Sequence, residues 1–206
     1  MINVIKIEHL NKYYNKGKSN EIHVINDTNL ELPNIGLITF LGESGSGKTT
    51  LSYIIGLLDN KYEGKFYFNN VDVSKLSKKD YNQAREKFIS YIFSKNNLIP
   101  YLNVKENLDL SNSENNFVDL DMKQDVNTLS GGEEILLALN IEINKKKKIY
   151  ILDEVTSMLD NDHFNKLMEI INNLSKEVLI IMISHDKRTD KYGKQLKLNK
   201  GKLNLI

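Results

Sequence analysis

Residues 42–50, Gly42-Glu43-Ser44-Gly45-Ser46-Gly47-Lys48-Thr49-Thr50, limit the folds open to this chain more than any other stretch. They follow an apolar run, Leu37-Ile38-Thr39-Phe40-Leu41, and precede Leu51-Ser52-Tyr53-Ile54-Ile55-Gly56-Leu57-Leu58, so the order reads strand, loop, helix. Glycines leave successive backbone N–H groups free to curl around an anion, and the following helix adds the positive end of its dipole. At this spacing a lysine reaches the β- and γ-phosphates of a nucleotide and a Ser/Thr hydroxyl ligates Mg²⁺, roles that fall to Lys48 and Thr49. Gly42, Ser44, Gly45, Ser46, Gly47, Lys48, Thr49 and Thr50 are therefore expected to contact the phosphates.

Composition adds mainly exclusions. The 206 residues, 40% of them apolar, suffice for one domain with a real core, or for one domain with a small inserted lobe. A net charge of +1 gives no global field toward nucleic acid or an anionic membrane, and no nucleic-acid partner is expected. The absence of cysteine rules out disulfides and thiolate metal sites. The start, Met1 to Glu8, alternates apolar and polar residues and lacks the charged head and unbroken apolar centre of a signal peptide. No window approaches the roughly 18 apolar residues of a spanning helix. A soluble globular chain is expected, which another chain must hold if it works at a membrane. The Lys-, Asn- and Ile-rich composition hints at an AT-rich bacterial genome.

Taken in order, residues 2–8 and 22–32 read as two antiparallel strands flanking a polar loop, and Pro33 to Gly36 turns the chain into the strand ahead of the phosphate loop. The helix is expected over about 48–58, then a short strand and turn at 64–71. Ser77 caps a helix to about Lys87 with Asp80 at N3, and Phe88 to Phe93 is a strand. Asn103 caps a helix over 104–110, and the polar residues 111–128 are expected to be loop or short helix. Residues 134–144 are apolar on all sides, as in a buried helix, and Lys145 to Lys148 reads as a solvated turn at its end. Strands at 149–154 and 178–183 flank a helix at 162–174, and a hairpin around Asn199-Lys200-Gly201 closes the chain. Apolar strands alternating with helices imply a mostly parallel sheet that binds ligands at its carboxyl edge.

The second half supplies what a phosphate loop alone does not specify. An apolar strand ending in Asp153-Glu154 offers one carboxylate to hold Mg²⁺ through water and one to orient the attacking water. His185, after another apolar strand, is a candidate for contacting the γ-phosphate. In Leu129-Ser130-Gly131-Gly132-Glu133, two glycines behind a serine at a helix start present N–H groups and a hydroxyl to an anion.

With residues 42–50, 149–154, Ser157-Met158-Leu159-Asp160 and His185 in that order, the stretch 129–133 resembles the signature motif of ATP-binding cassette (ABC) ATPases, and the resemblance covers essentially the whole chain. It implies an α/β P-loop fold with a mostly parallel central sheet, an antiparallel β subdomain and a shortened helical subdomain. Residues about 1–93 and 145–206 would form the nucleotide-binding core and about 94–144 the helical part. It further implies ATP and Mg²⁺ as cofactors and an ATP-bridged homodimer in which Ser130, Gly131 and Gly132 meet the γ-phosphate held by the partner protomer. Asp160 would lie in the loop crossing that interface. A separate transmembrane permease would hold the protein at the cytoplasmic face of the cell membrane. Finer likeness, in residues 10–17, 55–64 and 72–76, is to ATPases of the macrolide-exporter, lipoprotein-release and bacteriocin-exporter type. In that alignment Tyr14 stacks on adenine, with Tyr13 as the fallback.

The chain departs from the pattern at Ser94, where the family has a Mg²⁺- and water-contacting glutamine; Asn96 and Asn97 are the nearby substitutes. Glu134-Ile135-Leu136 and Val155 also depart from it, and the span from Ser94 to Leu129 is short. The reading is a transport-coupled, Mg²⁺-dependent ATPase that drives export of a peptide or amphiphile. A second reading, motivated by Ser94, is an ATP-gated dimerising switch with slow hydrolysis.

Overall fold

In the computed structural model, residues 3–110 and 117–205 are described. Strands β1 (Asn3–Tyr14), β2 (Ile22–Pro33), β4 (Glu63–Phe68) and β5 (Val71–Asp72) form an antiparallel sheet in the order β2-β1-β4-β5. A second sheet, in the order β10-β9-β3-β8-β7-β6, contains β3 (Gly36–Leu41), β6 (Ile89–Ile92), β7 (Ile149–Asp153), β8 (Leu179–Ile183), β9 (Lys194–Asn199) and β10 (Lys202–Leu205). Five of its strands run parallel and β10 alone is antiparallel, which matches the expected fold class.

Strand β8 is apolar at every position and β7 at all but its last, Asp153, because both faces of the sheet are covered. Ile149 and Ile151 of β7 and Ile181 and Ile183 of β8 point into one core, shared with the antiparallel sheet and α1 (Lys48–Ile55). Tyr150, Leu152, Ile180 and Met182 point into a second core beneath α4 (Gly131–Asn144) and α5 (Asn161–Leu174). Two further helices, α2 (Lys78–Phe88) and α3 (Val104–Asp109), start at the expected caps: Ser77 accepts from the Asp80 N–H, and Asn103 forms a reciprocal capping box with Glu106. Among the described residues, no helix is long and apolar enough to cross a membrane.

Three boundaries differ from expectation. Strand β1 continues past Glu8 to Tyr14 because His9, at φ 52°, forms a bulge with a register shift between Ile7 and Leu10; the extra residue breaks the two-residue alternation while pairing resumes beyond it. Helix α1 stops at Ile55, since Gly56 caps it and Leu57 takes a left-handed φ of 54°. Helix α4 starts at Gly131, three residues early, behind a capping box between Ser130 and Glu133. Of the polar stretch 111–128, residues 126–128 form a 3-10 turn and 117–125 no helix, while 111–116 lie outside the described residues.

Candidate nucleotide-binding site

Neighbouring strands β3, β8 and β7 end at one edge of the sheet, so the loops that follow them meet there. They border a cleft of about 770 Å³ lined by Tyr14, Val24, residues 44–50, Glu154 and His185. Gly47 turns the chain into α1 at φ 102°, and a Cβ there would lie 2.9 Å from the Val24 carbonyl oxygen. No side chain caps α1 and no acidic residue sits in its first turn, so the N–H groups at its start have no protein anion to face. Lys48 is buried, and its Nζ donates to the carbonyl oxygens of Gly42 (2.7 Å) and Glu43 (3.0 Å), leaving one of its three protons uncommitted.

Asp153 ends β7 and is 7% exposed. Its Oδ2 accepts a 2.8 Å hydrogen bond from the Tyr91 hydroxyl, whereas Oδ1 is buried without a partner. Burial raises the carboxyl above its usual range and the neighbouring Glu154 charge adds to this, against the Tyr91 and Thr49 hydroxyls and the Lys48 charge. A divalent cation would relieve that penalty. Mg²⁺ is commonly held by one or two carboxylates with substrate phosphates and water, and the Asp153 carboxylate beside the Thr49 hydroxyl fits that donor set. Glu154 has a left-handed φ of 56°, costly for a non-glycine residue and typical of functional positions. Its N–H is fixed by the Ile183 carbonyl at 2.9 Å. Its Oε2 lies 2.7 Å from His185 Nδ1 but is not aligned for a hydrogen bond and is otherwise buried and unpaired.

The structure brings Tyr14 to the cleft, 41% exposed, with its hydroxyl 3.3 Å from Thr50 Oγ1. Tyr13 instead stacks on His23, ring centroids 4.1 Å apart. Ser94 lies outside the lining of the cleft. Asn97 is spent on the turn after β6, accepting from the Phe93 N–H at 2.8 Å and donating to the Phe93 carbonyl at 2.7 Å.

Ser130, Gly131, Gly132 and Asp160 do not line the cleft either. Gly132 and Asp160 meet elsewhere, at His163, which sequence reasoning did not single out, and Gly131 faces Met158. A Cβ on Gly132 would lie 2.5 Å from His163 Cγ, and His163 Nδ1 is 2.8 Å from Asp160 Oδ2. Asp160 also caps α5 by accepting from the His163 N–H at 2.8 Å. The Asp153 partner Tyr91 was missed as well, because an aromatic inside an apolar strand carries no polar signal. So was Arg188, which binds Asp186 through Nε and Nη2 and donates to the carbonyls of Thr156 (3.2 Å) and Leu159 (3.0 Å). The Ser130–Glu133 capping box was visible as serine followed three residues later by glutamate.

Comparison with known proteins gives a consistent result. The family described as ABC transporter matches residues 25–157. The lipoprotein-releasing system ATP-binding protein LolD of Pseudoalteromonas translucida is 31% identical, the match covering 98% of this chain and 95% of that protein. The macrolide export ATP-binding/permease protein MacB of Mannheimia succiniciproducens is 29% identical over 90% of this chain but only 32% of its own length. Among solved structures, the dimeric post-hydrolysis state of the ATP-binding cassette MJ0796 bound to ADP and Pi superposes with a TM-score of 0.84 at 24% identity, covering 98% of each chain.

Proposed function

This chain belongs to the ABC transporter family, and from that premise we propose that it is an ATP-hydrolysing subunit that drives a separate membrane permease in the export of a peptide or amphiphile. The observation that carries the reading is where unpaired polar atoms gather. Among the described residues, five buried side-chain polar atoms lack a hydrogen-bond partner, and three of them, Ser46 Oγ, Asp153 Oδ1 and Glu154 Oε2, the last with only its misaligned contact to His185, belong to the phosphate loop and the Asp-Glu pair facing it. Buried polar groups are otherwise almost always satisfied, so this concentration marks a place prepared for a polar ligand.

In this reading Lys48 and the amides of residues 42–50 bind the phosphates, and Tyr14 stacks on the adenine. Thr49 and Asp153 hold Mg²⁺, which when bound offsets the charge on the phosphates. Glu154 orients the attacking water and takes up its proton, and His185 contacts the γ-phosphate and steadies the Glu154 side chain. Ser130, Gly131, Gly132 and Asp160 complete the equivalent site of a second protomer, so two ATP molecules join two chains. Residues about 94–144 form the shortened helical part that meets the permease, which places the protein at the inner face of the cell membrane. The LolD and MacB relatives support a cargo with lipid-like or amphiphilic character.

Calorimetric titration with ATP and steady-state phosphate release with Mg²⁺ test this directly. Saturable binding and Mg²⁺-dependent release are expected; no nucleotide binding would overturn the reading. The position of Ser94 outside the cleft lining favours keeping the switch as a second reading. A marked rise in phosphate release in Ser94→Gln at unchanged ATP affinity would support slow hydrolysis as its basis.

A further inference from the structure

We propose that Tyr91 is a positioning residue for the Mg²⁺ site, its hydroxyl anchoring one oxygen of Asp153 so that the other is presented to the cation. The inference rests on the assignment of Asp153 above and goes beyond it to a residue on a neighbouring strand.

Tyr91 lies on β6, paired with Ile151 of β7, and its side chain reaches across to α1. The ring is clamped from several sides: Tyr53 meets it edge-on with centroids 5.6 Å apart, Phe93 packs at 4.5 Å, and a Cβ on Gly56 would lie 3.0 Å from its Cδ2. A phenylalanine would fill the same apolar slot, so packing alone gives no reason for a hydroxyl here. That hydroxyl is nonetheless fully used. It donates to Asp153 Oδ2 at 2.8 Å, and the completely buried Ser52 shares its one hydroxyl proton between the Tyr91 oxygen at 2.8 Å and the Thr49 carbonyl at 2.9 Å. The phenol carries a single proton and the carboxylate oxygen is an acceptor, so the bond runs from Tyr91 to Asp153.

The consequence for Asp153 is asymmetric. With Oδ2 held, rotation of the carboxylate is blocked and the unpartnered Oδ1 keeps one direction. Mg²⁺ tolerates little deviation from octahedral geometry, so a prealigned oxygen matters more than an extra charge. Outer partners of metal-binding carboxylates typically control about 10–100-fold in metal affinity. The Ser52 contact ties the same hydroxyl to the first turn of α1, where Thr49 sits, so the two metal-facing groups share one rigid support.

The test is Tyr91→Phe, which keeps the ring, with Ser52→Ala as a second and milder variant. Mn²⁺ is titrated into each protein complexed with a non-hydrolysable ATP analogue and followed by EPR, and affinity for the same analogue is measured separately in EDTA. The expected result is a rise of about 10-fold in the Mn²⁺ concentration for half-saturation in Tyr91→Phe. A smaller rise is expected in Ser52→Ala, with metal-free nucleotide affinity unchanged in both. Unchanged Mn²⁺ affinity would overturn the inference. So would a parallel loss of metal-free nucleotide affinity, which would make the hydroxyl merely structural. Failure of the wild-type protein to bind the analogue at all would instead overturn the nucleotide-site reading.

Discussion

In the proposed reading the phosphate-loop cleft and the Ser130–Asp160 cluster both meet an anion, and they differ in how complete they are. In the cleft, Asp153 Oδ1 and Ser46 Oγ are buried without hydrogen-bond partners, Glu154 Oε2 has only the misaligned His185 ring 2.7 Å away, and Glu154 holds a strained left-handed backbone. In the cluster, every side chain that the family resemblance points to is already engaged. Ser130 and Glu133 cap each other, Asp160 caps α5 and reaches His163, and His163 fills the space that a side chain on Gly132 would need. One region stores unsatisfied polarity that a ligand can relieve. The other is a capped surface on which Ser130 is exposed and Gly131 half-buried, while Gly132 is buried against His163. That division of labour is what a composite site between two protomers requires: an adaptable half that binds nucleotide and a preformed half that senses it.

The largest effect on this contrast is expected from Glu154→Gln. It removes the group that takes the proton from water and should lower phosphate release by about 10²–10⁴-fold while leaving ATP affinity intact. Retained turnover in a steady-state phosphate assay would show that another residue serves as base. Lys48→Ala comes next. Losing a charge-assisted contact to the phosphates is worth about 1.5–3 kcal/mol, or roughly 10–150-fold in ATP affinity by calorimetry. An unchanged affinity would mean that the ammonium stays bound to the Gly42 and Glu43 carbonyls and never turns to the nucleotide.

On the finished side the effects are smaller and fall on stability. Gly132→Ala forces a Cβ to within 2.5 Å of the His163 ring, and such overpacking should cost about 1–3 kcal/mol in denaturant melts without changing ATP affinity in the isolated chain. A neutral result would mean that His163 swings away freely and that the cluster is not rigid. Smallest is Glu133→Gln, at about 0.3–1 kcal/mol from the loss of a negative charge at the start of α4. The Ser130 N–H, first among several contacts, holds the Glu133 carboxyl below its usual range. A depressed folded-state value means that its contribution is full above the ordinary carboxylate pKa and is lost as pH falls through the lower, folded one. Wild-type and Glu133→Gln melts should therefore differ at pH 7 and converge in acid; a difference that persists in acid would contradict the cap.

The sheet and the adaptable half were largely legible in the sequence, and the finished half less so, for physical reasons. Residues 42–50 announce themselves because glycine, lysine and threonine at fixed spacing encode backbone geometry and charge locally. The strands β3, β7 and β8 read as continuous apolar runs because both faces are buried. The extent of β1 was hidden because a bulge at His9 shifts the alternation, and a two-residue period cannot be followed through an inserted residue. Tyr91, His163 and Arg188 were missed because their roles depend on neighbours distant in sequence: Tyr91 on Asp153, His163 on Gly132, and Arg188 on the carbonyls of Thr156 and Leu159. Such pairings are set by strand order and helix packing, which no local spacing reports.

In the proposed assembly the two regions meet across a dimer, each finishing the other's site. Size-exclusion chromatography of Glu154→Gln with Mg²⁺ and ATP, against the same variant carrying Ser130→Glu, tests it most directly. The Ser130→Glu change places an anion where the partner's γ-phosphate would lie, while the P-loop of the same chain keeps all its groups. The account predicts an ATP-dependent dimer for Glu154→Gln and a monomer with undiminished ATP binding for the double variant. A Glu154→Gln protein that stays monomeric with ATP bound, or a double variant that dimerises equally well, would contradict it.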